Sequence, residues 1–396
     1  MFVRARKTGV PSLPTASLTL RKSQPTSDTF PLLQLLDESG YERVYVISEK
    51  RPTCDGQIEF WKRQLPNLQI NVACETKCKA KALRESSFII FQDPEGIPLR
   101  AWRLLKKAQP DKKIIKISHG LTFKGKTKST SAAAVWSEQG LQLEGSSSGG
   151  LWDTLIAQGA VHAYMSAALA VATDERKRRG DAPNAVLPLG FPKYIRCAEL
   201  SDGSAEAVIF GEQARQFFNA QPRPSIFLYA PTREDVLETM GPNAWKCMQE
   251  SLEELDSYLL LRRHPLVQKA LSKIESPRIV DFPRDDFLST VDLVALVGCI
   301  LTDRSSIASL GLALNTPVIF LDTVAESRFQ LPPQLARPGP LVGTCAELHT
   351  AMAEARSAAN DDSWLVKHGY AFHRSLWELD RTNRSRESWL HFLQSD

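Results

Sequence analysis

The stretch CILTDRSSIASLGLALNTPVIFL, residues 299–321, decides the fold class. It opens with the strand-like residues Cys299 to Thr302, turns through Asp303-Arg304-Ser305-Ser306, and continues as an apolar helical run from Ile307 to Leu314. Asn315-Thr316-Pro317 stops that helix, and Val318 to Leu321 reads as a second short strand. A strand, a helix and a strand in so short a span make the crossover unit of a parallel sheet. Outward from it the alternation repeats. Ile226 to Tyr229, Tyr258 to Leu261 and Arg278 to Asp281 read as strands with helices between them. An earlier series has β-branched runs at 43–48, 68–73, 87–92 and 113–118, separated by helix-like stretches such as Ile58 to Leu65 and Leu99 to Ala108. After a Ser/Gly loop at 145–150, Leu151 to Arg179 reads mostly helical, and Val186 to Leu189 is one more short strand ending in Gly190-Phe191-Pro192.

Alternation of this kind implies parallel sheets covered on both faces. Two such series predict an α/β chain of two Rossmann-like domains facing across a cleft, whose ligands bind beyond the carboxyl ends of the strands. The boundaries read as a flexible arm at 1–28, a first domain at 29–195, a second at 196–345 and a helical tail at 346–396. The arm is rich in Pro, Ser, Thr and basic residues with no apolar period.

Composition narrows the classes. With 396 residues, 43% hydrophobic and 24% charged, the chain is too long for one ordinary domain and too apolar for a disordered one. The longest clean apolar run, Leu293 to Leu301, is bounded by Asp292 and Asp303 and falls short of the roughly 18 residues of a membrane span. Met1 to Pro14 carries basic residues with no apolar segment behind them, so the expectation is a cytosolic protein without a secretory signal. Seven cysteines are scattered from Cys54 to Cys345, and the close pair Cys74 and Cys78 has no second pair to complete a zinc site. They read as free thiols, with no metal indicated. The net charge is only +4, yet Ile97 to Lys128 holds ten Lys or Arg against the single acid Asp111. That basic face is either a solvated surface or a seat for anionic lipid or a phosphate-rich acceptor. No aromatic-interleaved basic motif accompanies it, so nucleic acid is not expected.

Five small motifs each follow a strand. His119-Gly120 comes after Ile114 to Ser118, where glycine lets backbone approach a ligand. Leu189-Gly190-Phe191-Pro192 ends another strand. In LYAPTRED, residues 228–235, Thr232 and Arg233 stand at a helix start, and arginine suits bidentate phosphate recognition. Tyr258 to Leu261 runs into Arg262-Arg263-His264-Pro265, where proline holds the histidine extended beside two guanidiniums. Ser305 and Ser306 open the helix after Asp303, so that Asp303 or Ser305 caps the helix or its N–H groups take an anion.

In their order and spacing these motifs resemble the CDP-glycerol glycerophosphotransferase family, the primases and polymerases of wall teichoic acid and related capsules, over roughly 113–322. The resemblance implies the GT-B fold, a CDP-polyol donor held by the second domain, and a lipid-linked or polymeric phosphorylated acceptor held by the first. It implies no cofactor besides the donor. It makes His119 and His264 the catalytic pair, with His119 as the base. It assigns Arg233, Arg262, Arg263, Asp303, Ser305 and Ser306 to the donor phosphates, and Lys124 with Gly120 to the acceptor or to charge stabilisation. The chain departs from the family's pattern at Lys193-Tyr194-Ile195, where an acid is usual, at Arg304 in place of an aromatic residue, and in the helix after Ser306, which lacks an acid. These departures bear on the polyol more than on the nucleotide.

Three other readings stay open. Gly120 to Thr127 matches the letters of an NTPase phosphate loop, although over eighty residues of β/α structure precede it. The His-Pro and Ser-Ser motifs also occur in CMP-sugar transferases acting on sialic acid or Kdo. The basic face would further suit a non-catalytic relative that binds membrane or polymer.

Overall fold

The computed structural model describes residues 14–20, 25–48, 55–91, 113–117, 134–137, 140–143, 155–157, 186–187, 189–220, 225–231, 237, 240–262, 276–303, 305–321, 337–358, 361–376, 379 and 382–395. The chain forms two compact units, one of Met1–Ile117 with Arg386–Asp396 and one of Ser118–Ser385.

The first unit is built on five parallel strands: β1 (Thr15–Thr19), β2 (Arg43–Ile47), β3 (Gln69–Ala73), β4 (Phe88–Phe91) and β5 (Lys113–Ile117). Their order is β3-β2-β1-β4-β5. Helices α1 (Thr29–Glu38), α2 (Asp55–Gln64) and α3 (Thr76–Glu85) make the crossovers. Strands β2 to β5 lie where the apolar runs predict them. The expected loose arm is corrected at Thr15–Thr19, which is a fully buried strand between β2 and β4. Its sequence, TASLT, hides the strand because hydroxyls replace hydrocarbon. Ser17 shares a 2.6 Å hydrogen bond with Ser86, and the Thr19 hydroxyl donates to the Ile90 carbonyl at 3.5 Å. Buried hydroxyls with partners are tolerated in a core, and they erase the apolar signature.

In the second unit β6 (Ala134–Ser137) and β7 (Gly140–Leu143) form an antiparallel pair. β8 (Leu155–Ala157) pairs in parallel with β9 (Val186–Leu187). The helical reading of 151–179 is therefore corrected at Leu155–Ala157: three apolar residues are too few for periodicity to separate strand from helix. Helices α4 (Pro192–Ser201) and α5 (Glu212–Phe218) lead to a six-stranded parallel sheet. It comprises β10 (Ser225–Tyr229), β11 (Ser257–Leu261), β12 (Ile279–Val280), β13 (Cys299–Thr302), β14 (Val318–Leu321) and β15 (Leu341–Val342), in the order β12-β11-β10-β13-β14-β15. Helix α6 (Ala244–Glu254) connects β10 to β11, α7 (Thr290–Val294) precedes β13, and α8 (Ile307–Ala313) joins β13 to β14.

The unit β13-α8-β14 packs without slack. A Cβ on Gly311 would lie 2.6 Å from Val318 Cγ2 and 2.8 Å from Ile300 Cδ1, so only glycine lets the helix approach the sheet this closely. Asn315, at φ 55°, turns left-handed to end the helix, as the Asn-Thr-Pro stop predicts.

The tail is helical as expected: α9 (Cys345–Ser357), α10 (Ser363–Lys367), α11 (Tyr370–Leu376) and α12 (Thr382–Gln394). In the first unit Trp389 is fully buried, and Phe392 meets Phe88 edge to face at 5.8 Å. The expectation of seven free thiols is corrected as well. Cys247 of α6 and Cys345 of α9 form a disulfide with Cα atoms 5.8 Å apart, whereas Cys74, Cys78, Cys197 and Cys299 are free. Packing of α6 against α9 brings together two cysteines 98 residues apart, a pairing that spacing cannot reveal. Among the described residues no helix is long and apolar enough to cross a membrane.

Candidate functional site

In the second sheet the strand order reverses between β10 and β13, and ligands of open α/β sheets bind at the carboxyl edge of such a switch. Three strand ends are stitched together there. The Arg262 N–H donates to the Tyr229 carbonyl at 2.8 Å, and the Ala230 N–H donates to the Leu301 carbonyl at 2.9 Å. The Thr302 hydroxyl then donates to the Ala230 carbonyl at 2.7 Å. Arg262 and Asp303 consequently leave the sheet on either side of the β10 end.

The turn after β13 carries three of the expected residues. Asp303 is buried, and Ser305 and Ser306 are partly exposed. Ser306 occupies the N-cap of α8 but makes no side-chain cap hydrogen bond. The Ser305 hydroxyl accepts from the Ile307 N–H at 3.5 Å, a long contact, while Ser309 donates to the Ser306 carbonyl at 2.7 Å. Ser309 in turn accepts from the Tyr194 hydroxyl at 2.7 Å. The Gly-Phe-Pro turn thereby joins the Ser-Ser turn through Tyr194, a link with no local sequence signal. Gly190 has φ 78°, and a Cβ there would lie 2.2 Å from Ser385 Oγ, so the turn requires glycine twice over.

Arg262 is partly buried, and its Nη2 donates to the Thr290 hydroxyl at 3.0 Å. Its Nε has no hydrogen-bond partner. Burial, and then the nearby Arg284 guanidinium, pull its pKa down to about 9, with Asp285 and Asp281 opposing. At neutral pH it is a poorly hydrated cation, the state in which an anion is most welcome.

A buried ion pair holds the platform. Arg196 Nη2 meets Asp292 Oδ1 at 2.7 Å, with the two side chains 5% and 0% exposed. Asp292 also accepts from the Val208 N–H at 3.1 Å and from the Ser289 hydroxyl at 2.7 Å. Ser289 caps α7 by accepting from the Val291 N–H at 3.0 Å, next to the Thr290 that holds Arg262. The Ser-x-x-Asp spacing from Ser289 to Asp292 is a capping signature that could have marked this helix start in the sequence.

His119, Gly120, Lys124, Arg233, Arg263 and His264 lie outside the described residues, as do the phosphate-loop letters at 120–127. Of the basic stretch only residues 113–117, strand β5, are described. Among the described residues no group of three or more His, Cys, Asp or Glu could hold a metal ion.

Known structures share this architecture. The wall teichoic acid polymerase TagF aligns over 97% of this chain and 89% of its own with a TM-score of 0.61 at 14% identity. The fold is GT-B. A His-to-Asn variant of TagF soaked with CDPG aligns over 96% of this chain and 91% of its own, with a TM-score of 0.55 at 14% identity. A putative UDP-N-acetylglucosamine 2-epimerase from Listeria monocytogenes aligns over 96% and 97%, with a TM-score of 0.54 at 12% identity. No family model and no curated protein matches the sequence.

Proposed function

We propose that this chain is a polyol-phosphate transferase that draws glycerol phosphate or a related polyol phosphate from a CDP-linked donor. The observation that carries the reading is positional: the Arg262 and Asp303-to-Ser306 motifs leave the carboxyl edge of the second sheet on both flanks of the switch strand β10. The GT-B fold is shared with a teichoic acid polymerase that has been soaked with CDPG, which is in keeping with such a donor.

In this reading an acceptor hydroxyl attacks the polyol-bearing phosphorus of the donor. The bond from that phosphorus to the bridging oxygen breaks, and CMP leaves with the electron pair. Such a transfer needs positioning, charge neutralisation and removal of one proton, with little covalent chemistry from the protein. His119 takes the proton, because imidazole, with an ordinary pKa of about 6.5, suits a base at neutral pH. His264, Arg262, Arg263 and Arg233 hold the diphosphate, together with the turn formed by Asp303, Ser305 and Ser306. Lys124 and Gly120 serve the acceptor side. The acceptor is a lipid-linked or polymeric phosphorylated chain at the cytoplasmic membrane surface, drawn there by the basic stretch from Ile97 to Lys128.

The test is incubation of the purified chain with CDP-glycerol or CDP-ribitol and a phosphorylated acceptor. CMP release with a mass gain of one polyol phosphate on the acceptor is the expected result. No CMP with either donor, alongside turnover of UDP-N-acetylglucosamine, would replace the reading with the epimerase chemistry named for another neighbour.

A further inference from the structure

Helices α6 and α9 meet as a ladder. Cys247 lies on α6 with Ser251 one turn further along, and Cys345 opens α9 with His349 one turn further along. The first rung is the Cys247–Cys345 disulfide, and the second is the hydrogen bond between His349 Nδ1 and the Ser251 hydroxyl at 3.2 Å. His349 Nε2 also lies 3.5 Å from the Glu254 carboxylate, the next turn of α6. Met248 and Leu252 of α6 and Leu348 and Met352 of α9 are fully buried. Apolar packing and the histidine rung thus hold the seam without help from the covalent bond.

The bridge differs from a buried structural disulfide in two ways. Both cysteines are partly exposed, so a small thiol can reach the sulfurs. The two sulfurs also sit in unequal fields. Cys345 is the first residue of a thirteen-residue helix, whose N-cap Thr344 forms a complete capping box with Glu347. The positive end of the helix dipole favours a thiolate there. Cys247 lies past the first turn of α6, its N–H already bonded to the Asn243 carbonyl at 2.9 Å, where the dipole is weaker. The charges around the seam are themselves engaged: Glu347 accepts from the Gly343 and Thr344 N–H groups, Lys246 pairs with Glu250, and Glu254 meets His349.

We propose that Cys247 and Cys345 form a thiol–disulfide exchange site, opened by an external dithiol and closed again by a small disulfide. A thiolate of the dithiol attacks the Cys247 sulfur. The bond between the two cysteines breaks, and its electron pair leaves on Cys345 as a thiolate at the α9 N-terminus. The second thiolate of the reductant then attacks its own sulfur in the mixed disulfide, releasing Cys247, which takes up a proton. Two electrons have passed to the bridge, and the reductant departs as a disulfide. The sulfur of lower pKa leaves faster, which directs the attack to Cys247. A small disulfide reverses the sequence. None of this depends on the identity of the donor.

The experiment treats the full chain with dithiothreitol at neutral pH and room temperature without denaturant, alkylates it with iodoacetamide and maps the modified cysteines by mass spectrometry. Cys247 and Cys345 should both become alkylated while circular dichroism stays that of the folded protein, and oxidised glutathione in place of iodoacetamide should restore the bridge. A bridge that resists dithiothreitol, or opens only as the circular dichroism signal is lost, overturns the proposal. The second measurement is the alkylation rate of each cysteine in the reduced protein. The rate at about pH 7 divided by the rate at about pH 10, which cancels differences in access, should be about tenfold higher for Cys345 than for Cys247, the effect of a thiol pKa lower by about one unit. Equal ratios remove Cys345 as the leaving sulfur and overturn the proposed exchange.

Discussion

Replacing Asp292 with alanine removes the acceptor at the centre of the second unit's buried polar network. Arg196, only 4% exposed, would keep the Glu206 carbonyl at 2.7 Å and the Glu199 carboxylate at 3.6 Å but lose its closest anion. Removing one partner of a buried pair costs about 3–5 kcal/mol because the other charge stays desolvated. Glu199 tempers that figure, whereas the Val208 N–H and the Ser289 hydroxyl each lose an acceptor worth about 1 kcal/mol. A net loss of about 4 kcal/mol follows. For a unit this large each kcal/mol moves the melting point by roughly 2 °C, so the Asp292→Ala transition should fall by about 8 °C in scanning calorimetry. The double variant Arg196→Met, Asp292→Leu should recover most of the loss, since apolar residues of similar size often replace a buried pair without penalty. The same replacement frees α7, so donor affinity should weaken in the single variant, because Thr290 orients Arg262. A melting point for Asp292→Ala within about 2 °C of wild type would refute this account of the network.

Reduction of the Cys247–Cys345 disulfide, or its removal as Cys247→Ser with Cys345→Ser, should destabilise the second unit by about 4–5 kcal/mol in the chain-entropy picture for a loop of this length, and identical melts with and without dithiothreitol would count against it. Gly311→Ala should destabilise by about 1–3 kcal/mol in urea titration, reversing the usual gain of alanine in a helix, because its Cβ would overlap Val318 and Ile300. Burial, and for His368 then the Lys367 charge, hold the pKa values of His368 and His373 below the ordinary histidine value. The neutral forms favour the fold, so their stabilisation is complete above the unfolded pKa of about 6.5 and is lost as pH falls below it. His373→Phe should flatten the stability profile between about pH 7 and pH 5, and an unchanged slope in urea titrations would remove His373 from the effect. Under the proposed chemistry His119→Ala should lower turnover by about 10² to 10⁴ with donor affinity kept, and His264→Ala should weaken CDP binding as well; near-normal turnover of His119→Ala at saturating substrates would leave the base unassigned.

The alternation of β-branched runs with helical stretches was enough to place ten of the described strands within a residue or two, from β2 at Arg43–Ile47 to β14 at Val318–Leu321. The central ones, such as β13 and β14, are parallel and buried on both faces, so their sequences carry a continuous apolar signal that survives without an alignment. The Asn-Thr-Pro stop and the Ser-Ser turn were legible for the same reason: caps and stops are local chemistry. β1 escaped because its buried positions are filled by Ser17 and Thr19, whose acceptors or partners at Ile90 and Ser86 lie about seventy residues away. The order β12-β11-β10-β13-β14-β15, the Cys247–Cys345 bridge, the Arg196–Asp292 pair and the Tyr194–Ser309–Ser306 link are likewise contacts between distant segments. A sequence by itself sets which residues can be strand, helix or turn, because those preferences are decided within a few neighbours. Which buried charge meets which partner, as Arg196 meets Asp292, is decided only when packing removes water and makes each unpaired polar group costly.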